Sequence, residues 1–191
     1  MKKILVTTMI LVSGSIFIGV LFFGIIYSPN GEISTTTVRA QSETTGHPTR
    51  FYIPTLKIDA TVKEVGITKN GNIASPRNFS DVGWYKYGIL PGEIGTSIID
   101  GHVDNGLALP GVFSDLKNIK IGDNVYVETE ENKVLNFVVE KIEVFDYNAG
   151  TESIITEGKD FRLVLITCTG NWMPNLRTHD QRLVVTTVLV N

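Results

Sequence analysis

The hydrophobic positions divide the chain into three segments. Residues 4–27 contain no charged residue and follow Met1-Lys2-Lys3. Residues 28–50 are rich in Ser, Thr, Gly, Glu and Gln and contain few apolar residues. From Phe51 to Asn191, short apolar runs alternate with Gly, Pro, Asn and Asp. This pattern predicts an apolar N-terminal segment, a flexible linker over residues 28–50 and one folded domain over residues 51–191.

The N-terminal apolar run is long enough to cross a membrane as a helix. Residues 4–27 would extend about 36 Å at about 1.5 Å per residue, and a hydrocarbon core is about 30 Å thick. The two preceding lysines place the N-terminus in the cytoplasm by the positive-inside rule. A signal peptide cleaved near Val38-Arg39-Ala40 is the alternative, but the run exceeds the usual core of about 7 to 15 residues. We therefore expect residues 1–27 to be a single-pass cell-membrane anchor, with the rest of the chain extracytoplasmic.

The folded domain is predicted to be mostly β. Short apolar runs bounded by turn residues indicate strands at Phe51–Ile58, Val62–Thr68, Thr96–Ile99, Val125–Val127, Lys133–Phe145, Phe161–Thr169 and Leu183–Val190. Pro54 makes the first of these an edge strand or an extended arm. Asn70-Gly71 predicts a hairpin turn before Ile73. Between Val139 and Ile142 the apolar alternation slips by one residue, which predicts a bulge.

The sequence predicts little helix in the folded domain. Only Val112–Ile119 and Thr151–Glu157 have a helical pattern, and both are short. The expected fold is a closed β-barrel of about eight strands with short helices, because closure removes exposed strand edges. One N-terminal transmembrane helix is expected to precede it.

Composition excludes several classes of function. The net charge is -3 and the pI is about 5.6, so nothing favours nucleic-acid binding. One cysteine and three histidines, far apart in sequence, form no metal-ligand pattern. There is no Gly-rich phosphate loop, and we expect neither a metal nor another cofactor.

Three residues in the domain form a candidate catalytic site. Cys168 is the only cysteine and lies near the end of an apolar run, and Arg182 directly precedes the next run. The residues between them, including Gly170 and Pro174, predict a loop. His102 follows the strand that ends in Asp100. An unpaired extracytoplasmic cysteine is unusual, which favours a reactive thiol at this place.

Each of the three residues also has a structural explanation. Cys168 could be a small buried hydrophobic residue. His102 could hydrogen-bond to Asp104, which could also orient it in a triad. Arg182 could pair with Asp180 on the surface. The sequence distinguishes these explanations from a catalytic role only when the three residues are considered together.

Taken together, these residues resemble the sortase family of cysteine transpeptidases. The resemblance lies in Leu165-Ile166-Thr167-Cys168, in Arg182 before a strand, and in Gly101-His102 upstream. It extends over residues 51–191 and includes Gly83-Trp84-Tyr85 and Ile121-Gly122-Asp123. Thr169-Gly170 after the cysteine is most similar to class F, with classes D and E as the alternatives.

The resemblance implies a β-barrel that binds a Leu-Pro-X-Thr-Gly-type sorting signal of a Gram-positive surface protein. Cys168 would be the nucleophile, His102 the general acid and base, and Arg182 the group that stabilises the oxyanion and the substrate. Thr167 would contact substrate. A peptidoglycan-precursor amine would accept the acyl group. The alternatives are a cysteine hydrolase that uses water and a non-catalytic barrel that binds the cell wall.

Other residues near the candidate site have weaker signals. Arg177 is a second arginine in the predicted loop. His179 could contact substrate there, but it is expected to be exposed. Asp104 is expected to be a solvated loop residue. Trp84 and Trp172 are each consistent with either the groove or the core. Residues 28–50 contain no Asp-Pro-aromatic sequence, so we expect no N-terminal lid and favour a housekeeping or accessory anchoring role.

Overall fold

The computed structural model describes residues 45–150 and 160–190. The anchor predicted at residues 1–27, the linker up to residue 44 and the helix predicted at Thr151–Glu157 lie outside the described residues. Within the described ranges, no helix has the length and apolar character needed to cross a membrane.

Eight strands close into one barrel in the described part of the chain. Their order around the barrel is β1-β2-β3-β4-β7-β8-β6-β5. The two parallel pairs are β2 with β3 and β4 with β7, and the other neighbours are antiparallel. The strands are β1 Pro48–Ile53, β2 Ile58–Val65, β3 Val82–Tyr85, β4 Gly95–Gly101, β5 Asn124–Thr129, β6 Val134–Asp146, β7 Phe161–Met173 and β8 Thr178–Val190. The predicted mostly-β closed barrel is confirmed.

Alternating apolar positions fill the barrel interior. In β7, Leu163 and Leu165 belong to the core, while Ile166 and Cys168 lie on the opposite face of the strand. Phe113, from the connection between β4 and β5, is fully buried in the same core. A Cβ atom on Gly101 would lie 2.6 Å from the Phe113 ring, so only glycine fits at the end of β4 without displacing this ring.

Because β2 and β3 are parallel, residues 66–81 must run back along the barrel between them. We call these residues the crossover. It contains the turn predicted at Asn70-Gly71, in which the Thr68 N–H donates to the Asn72 carbonyl at 2.7 Å and Ile67 pairs with Ile73. Gly71 has a φ of 84°, a conformation that glycine adopts without strain. The predicted hairpin turn is confirmed.

The first predicted strand, Phe51–Ile58, is not one continuous strand. Phe51–Ile58 is divided between β1 and β2 by a 3-10 turn at Pro54–Leu56. Pro54 fixes the φ angle of this turn, and Lys57 reverses the chain with a φ of 55°. β1 also begins at Pro48, so residues 48–50 belong to the barrel. The buried Thr45 hydroxyl donates to the Pro91 carbonyl at 2.6 Å, which attaches the chain to the barrel just before β1.

The helix predicted at Val112–Ile119 is also wrong in extent. Only Leu116–Asn118 is helical, as a single 3-10 turn. Phe113 and Leu116 are both fully buried, and one short turn is sufficient to direct these two side chains into the core. The bulge predicted in β6 is confirmed, because the register with β8 shifts between Val139 and Lys141.

The long loop predicted between Cys168 and Arg182 is wrong. β7 continues to Met173 and β8 begins at Thr178, so both residues lie inside strands of one hairpin. Gly170, with a φ of 80°, lies at a register shift between Thr169 and Trp172. Asp180 accepts hydrogen bonds from the backbone and the side-chain amide of Asn171 across this shift. The residues that suggested a loop form a bulge and a tight turn.

Candidate active site

Strand pairing places Cys168 in β7 and Arg182 in β8 in one row with His102, which directly follows β4. Cys168 is the direct partner of Arg182 in the β7–β8 pair. Asp100 is the partner of Ile166 in the parallel β4–β7 pair, so His102, two residues further on, comes alongside Cys168. The three candidate residues are therefore brought together by backbone register.

The row lies on the outer face of the barrel wall. In β4, β7 and β8 the residues beside the row, such as Ile99, Leu165 and Leu183, belong to the core. Because side chains alternate between faces, His102, Cys168 and Arg182 point away from it. They line a cavity of about 510 Å³, which we call the groove. The crossover, the loop after His102 and the β7–β8 hairpin supply its other walls.

The His102 ring is held by the crossover. Its Nε2 atom lies 2.8 Å from the Pro76 carbonyl oxygen, and the Phe79 ring packs at 4.8 Å between centroids. A carbonyl oxygen only accepts hydrogen bonds, so Nε2 carries the proton in this contact. Nδ1 is the nitrogen that is left to exchange a proton in the groove.

The Arg182 guanidinium is fixed by its own hairpin. Nη1 donates to the carbonyls of His179 at 3.0 Å and Gln181 at 2.8 Å, and Nη2 donates to the Thr178 hydroxyl at 2.9 Å. Nε has no hydrogen-bond partner among residues 45–150 and 160–190. A preorganised guanidinium with an unused N–H can bind a substrate carbonyl or oxyanion.

Burial controls the acidity of Cys168. It raises the pKa of the thiol above its ordinary value, and the positive charge of Arg182 and a hydrogen bond with the Thr178 side chain oppose this rise. The carboxyl groups of Asp100 and Asp104 raise the pKa further. The thiol is therefore mainly neutral at pH 7, and forming the thiolate depends on a base such as His102.

Thr167 occupies a structural position beside the row. It is buried, and its hydroxyl donates to the Gly101 carbonyl at 2.7 Å. This bond fixes the register of β7 against β4 next to Cys168 and His102. The predicted contact of Thr167 with substrate stays a prediction.

One prediction about a neighbouring residue is wrong. His179 is buried rather than exposed, with its Nε2 atom 3.3 Å from Oδ2 of Asp104. Asp104 keeps about a third of its side chain exposed, at 31%, and the Nε2 atom of His102 bonds to Pro76. The Trp172 ring packs edge-on against His179 at 5.3 Å.

The remaining candidate residues lie either in the groove or in the core. Trp172 is half exposed and lines the groove together with Arg177, whereas Trp84 is buried in the core. Arg182, and not Arg177, is the direct neighbour of Cys168. Within residues 45–150 and 160–190, no three His, Cys, Asp or Glu side chains are grouped closely enough to hold a metal ion.

Comparison with known protein families assigns this chain to a family. The model of the sortase domain family matches residues 51–190. The chain belongs to the sortase family. As a member of it, this protein is a cysteine transpeptidase of the sortase type. A search of curated proteins found no match.

Solved sortase structures have the same fold. Sortase C-1 from Actinomyces oris is 25% identical, with a TM-score of 0.59, over 74% of this chain and 73% of that one. A Clostridium perfringens sortase D5 transpeptidase is 18% identical, with a TM-score of 0.57, over 76% and 79% of the two chains. Sortase A from Listeria monocytogenes is 20% identical, with a TM-score of 0.56, over 74% and 86%. Because these matches include sortases named A, C and D, they assign this sortase to no subclass.

Sequence reasoning missed three contributors to the site. Thr178 hydrogen-bonds to Arg182 and to Cys168. The Pro76 carbonyl accepts a hydrogen bond from His102, and Asp100 lines the groove together with Cys168. The sequence contained one usable signal for Asp100. It lies two residues before His102, and residues two apart in an extended chain have their side chains on the same face. The partners of Thr178 and Pro76 depend on long-range contacts.

Asp100 is an unusual carboxyl group. Oδ2 accepts a hydrogen bond of 2.5 Å from the Ser75 hydroxyl, while the buried Oδ1 has no partner in the described part of the chain. Burial raises the pKa of Asp100 to about 7, and the Ser75 hydrogen bond only partly opposes this. The protonated form of Asp100 therefore persists in the folded protein up to about pH 7, well above the pH range in which an exposed aspartic acid ionises.

We predict that Arg182→Gln slows alkylation of the thiol at pH 8 by a few-fold to about tenfold, because removing the cation raises the pKa of Cys168 further. The measurement is the iodoacetamide rate between pH 6 and 10, followed by intact mass. Since Cys168 is the only cysteine, every adduct reports on it. Arg50→Gln, an exposed arginine paired with Asp59, is the control. An unchanged or faster rate in Arg182→Gln would contradict this electrostatic role.

We predict that Asp100→Asn becomes more stable relative to the parent protein as pH rises from 5 to 8. The folded parent binds more protons than the unfolded chain between about pH 4 and 7, because the pKa of Asp100 is raised to about 7. Its stability therefore falls through this range, by up to about 4 kcal/mol from this group. Urea midpoints of both proteins at pH 5 and pH 8 check the prediction. The same difference at both pH values would disprove it.

Proposed function

We propose that this sortase is a membrane-anchored enzyme that cleaves a Leu-Pro-X-Thr-Gly-type sorting signal between Thr and Gly. It then joins the new C-terminus to a cell-wall amine. The observation that carries this proposal is the row of His102, Cys168 and Arg182, which opens onto a groove of about 510 Å³. A groove of this size has room for a short peptide segment.

The first half-reaction forms an acyl-enzyme. Proton transfer from the thiol to His102 generates the thiolate, whose sulfur attacks the threonine carbonyl. The oxygen of the tetrahedral intermediate becomes negative, and the Arg182 guanidinium stabilises that charge. When the Thr–Gly C–N bond breaks, the imidazolium gives its proton to the departing glycine nitrogen, which leaves as an amine. The products are a thioester on Cys168 and a peptide that begins with glycine.

The second half-reaction is chemically the reverse with a different amine. His102 accepts a proton from the incoming amine as its nitrogen attacks the thioester carbonyl. The C–S bond breaks, and the sulfur leaves as thiolate and recovers a proton. An amide replaces the original peptide bond, so the reaction requires no external energy source or cofactor.

The groove provides side chains for both apolar and polar parts of such a signal. Ile73 and Phe79 on the crossover and Trp172 on the hairpin supply apolar surface. Arg177 and Arg182 supply N–H donors for backbone carbonyls on the hairpin side. This division is suited to an extended peptide with one apolar anchor residue and a reacting carbonyl near Cys168.

We predict that the full chain, purified in detergent, cleaves such a peptide after threonine and joins an added amine to the new end. The experiment uses a Leu-Pro-X-Thr-Gly library with glycine or diaminopimelate as acceptor, and mass spectrometry identifies the products. Cys168→Ala should be inactive, and Arg182→Gln should lose about 100-fold in kcat. Arg50→Gln should keep the parent rate.

Other outcomes of this experiment distinguish other functions. Cleavage with water as the only acceptor, at every amine concentration, would support a cysteine hydrolase. A folded protein that binds peptide but leaves every bond intact would support a non-catalytic wall-binding barrel. Either result would refute the proposed transpeptidation.

We further propose that residues 1–27 anchor the chain in the cell membrane and that the barrel lies outside it. The uncharged run over residues 4–27 after Lys2 and Lys3 supports this orientation. A maleimide that does not cross membranes should label Cys168 in intact cells from which the wall has been removed. The control is Cys168→Ala in the same cells. Labelling that requires cell lysis would contradict the proposed location.

A further inference from the structure

Two hydrogen bonds connect Asp100 to His102 through the crossover. The Ser75 hydroxyl donates to Oδ2 of Asp100, and the carbonyl of the next residue, Pro76, accepts the Nε2–H of His102 at 2.8 Å. Asp100 and His102 lie on the same face of the chain, two residues apart. The crossover is therefore attached to the end of β4 at two adjacent points, one of which is the general acid and base of the proposed reaction.

The strand β3, next to β4, leaves space for the contacts of Asp100 and Pro76. Gly83 in β3 is the partner of Asp100 in β4. A Cβ atom at residue 83 would lie 2.6 Å from Oδ1 of Asp100 and 3.0 Å from Cδ of Pro76. Glycine at this position lets the carboxyl group and the proline pack together over β3. Three separate elements thus meet at the same point.

We propose that Ser75 and Asp100 are positioning residues that hold the Pro76 carbonyl in place and thereby orient the His102 ring. This inference rests on the proposed transpeptidation, in which His102 moves protons. We call the Asp100–Ser75 hydrogen bond and the Pro76–His102 hydrogen bond the clamp. It keeps the proton of the neutral ring on Nε2, and Nδ1 then serves as the base.

The neutral form of Asp100 is suited to this role. A protonated carboxyl group still accepts the Ser75 hydrogen bond, but it places no negative charge near Cys168, whose pKa an ionised Asp100 would raise. It also avoids burying a charged Oδ1 that has no partner within the described residues. The raised pKa of Asp100 agrees with a carboxyl group that acts as a hydrogen-bonding anchor.

Ser75→Ala tests the clamp because it removes the hydroxyl without removing any ionisable side chain. We expect kcat for transpeptidation to fall about tenfold with KM within about twofold, since His102 loses its orientation and not its substrate contacts. The rate at which iodoacetamide alkylates Cys168 at pH 9 should change by less than about twofold, because at this pH hydroxide in the solvent removes the thiol proton without His102. Ser75→Thr, which keeps a hydroxyl, should restore most of kcat.

Ser80→Ala is the matched control. Ser80 is an exposed serine on the same crossover, and only its backbone N–H takes part in a hydrogen bond that the structure shows, with Asn78. This variant should keep the parent kcat. Asp100→Ala should lose as much as Ser75→Ala, and the double variant should lose no more than the worse single variant, because both act through one contact.

Imidazole ¹⁵N NMR tests the clamp without any turnover. In the parent protein the neutral His102 ring should be the Nε2–H tautomer, and in Ser75→Ala the Nδ1–H tautomer should appear. Unchanged tautomer populations in a folded Ser75→Ala would overturn the inference, as would an unchanged kcat. Absence of turnover in the parent protein would instead count against the proposed function, and the tautomer measurement would then decide the clamp.

Discussion

The parallel register between β4 and β7 is the constraint on which the site depends. These strands are far apart in sequence, and only their pairing places His102 beside Cys168. The buried hydroxyl of Thr167 donates to the Gly101 carbonyl and fixes this register one residue before each of the two candidate side chains, Cys168 and His102. Gly101 lets the strand end approach Phe113 closely. A slip of one residue would direct the imidazole into the core.

Burial and charge have opposite effects on the pKa of Cys168, which lies on the outer face of the barrel wall. Removal of water raises the pKa of the thiol, and Arg182 and Thr178 only partly reverse this. A thiol that stays neutral at rest is protected from unwanted oxidation and alkylation. In the proposed mechanism, the reactivity of Cys168 then depends on how well the contacts around the imidazole place His102 to accept the proton.

Local patterns in the sequence predicted most of the strands, because β-branched alternation and turn residues are local signals, but they gave no strand at β3, Val82–Tyr85. They failed where distant segments decide the structure. Gly170 and Pro174 suggested a long loop, but pairing with β8 extended β7 through the bulge. His102 and Asp104 are close in sequence, yet each bonds elsewhere, to Pro76 and to His179. Such partners depend on how the crossover and the hairpin fold back onto the barrel.

The position of β8 has a consequence for how the chain folds. Among the described residues β8 follows the other seven strands along the chain, and it pairs with both β6 and β7. Until Thr178–Val190 is available, β6 and β7 each have an unpaired edge and the barrel remains open. Non-local pairings of this kind form slowly. Cys168 is therefore placed beside Arg182 only after β8 has been synthesised and paired, and a chain that stops before β8 would expose two apolar edges through which it could aggregate.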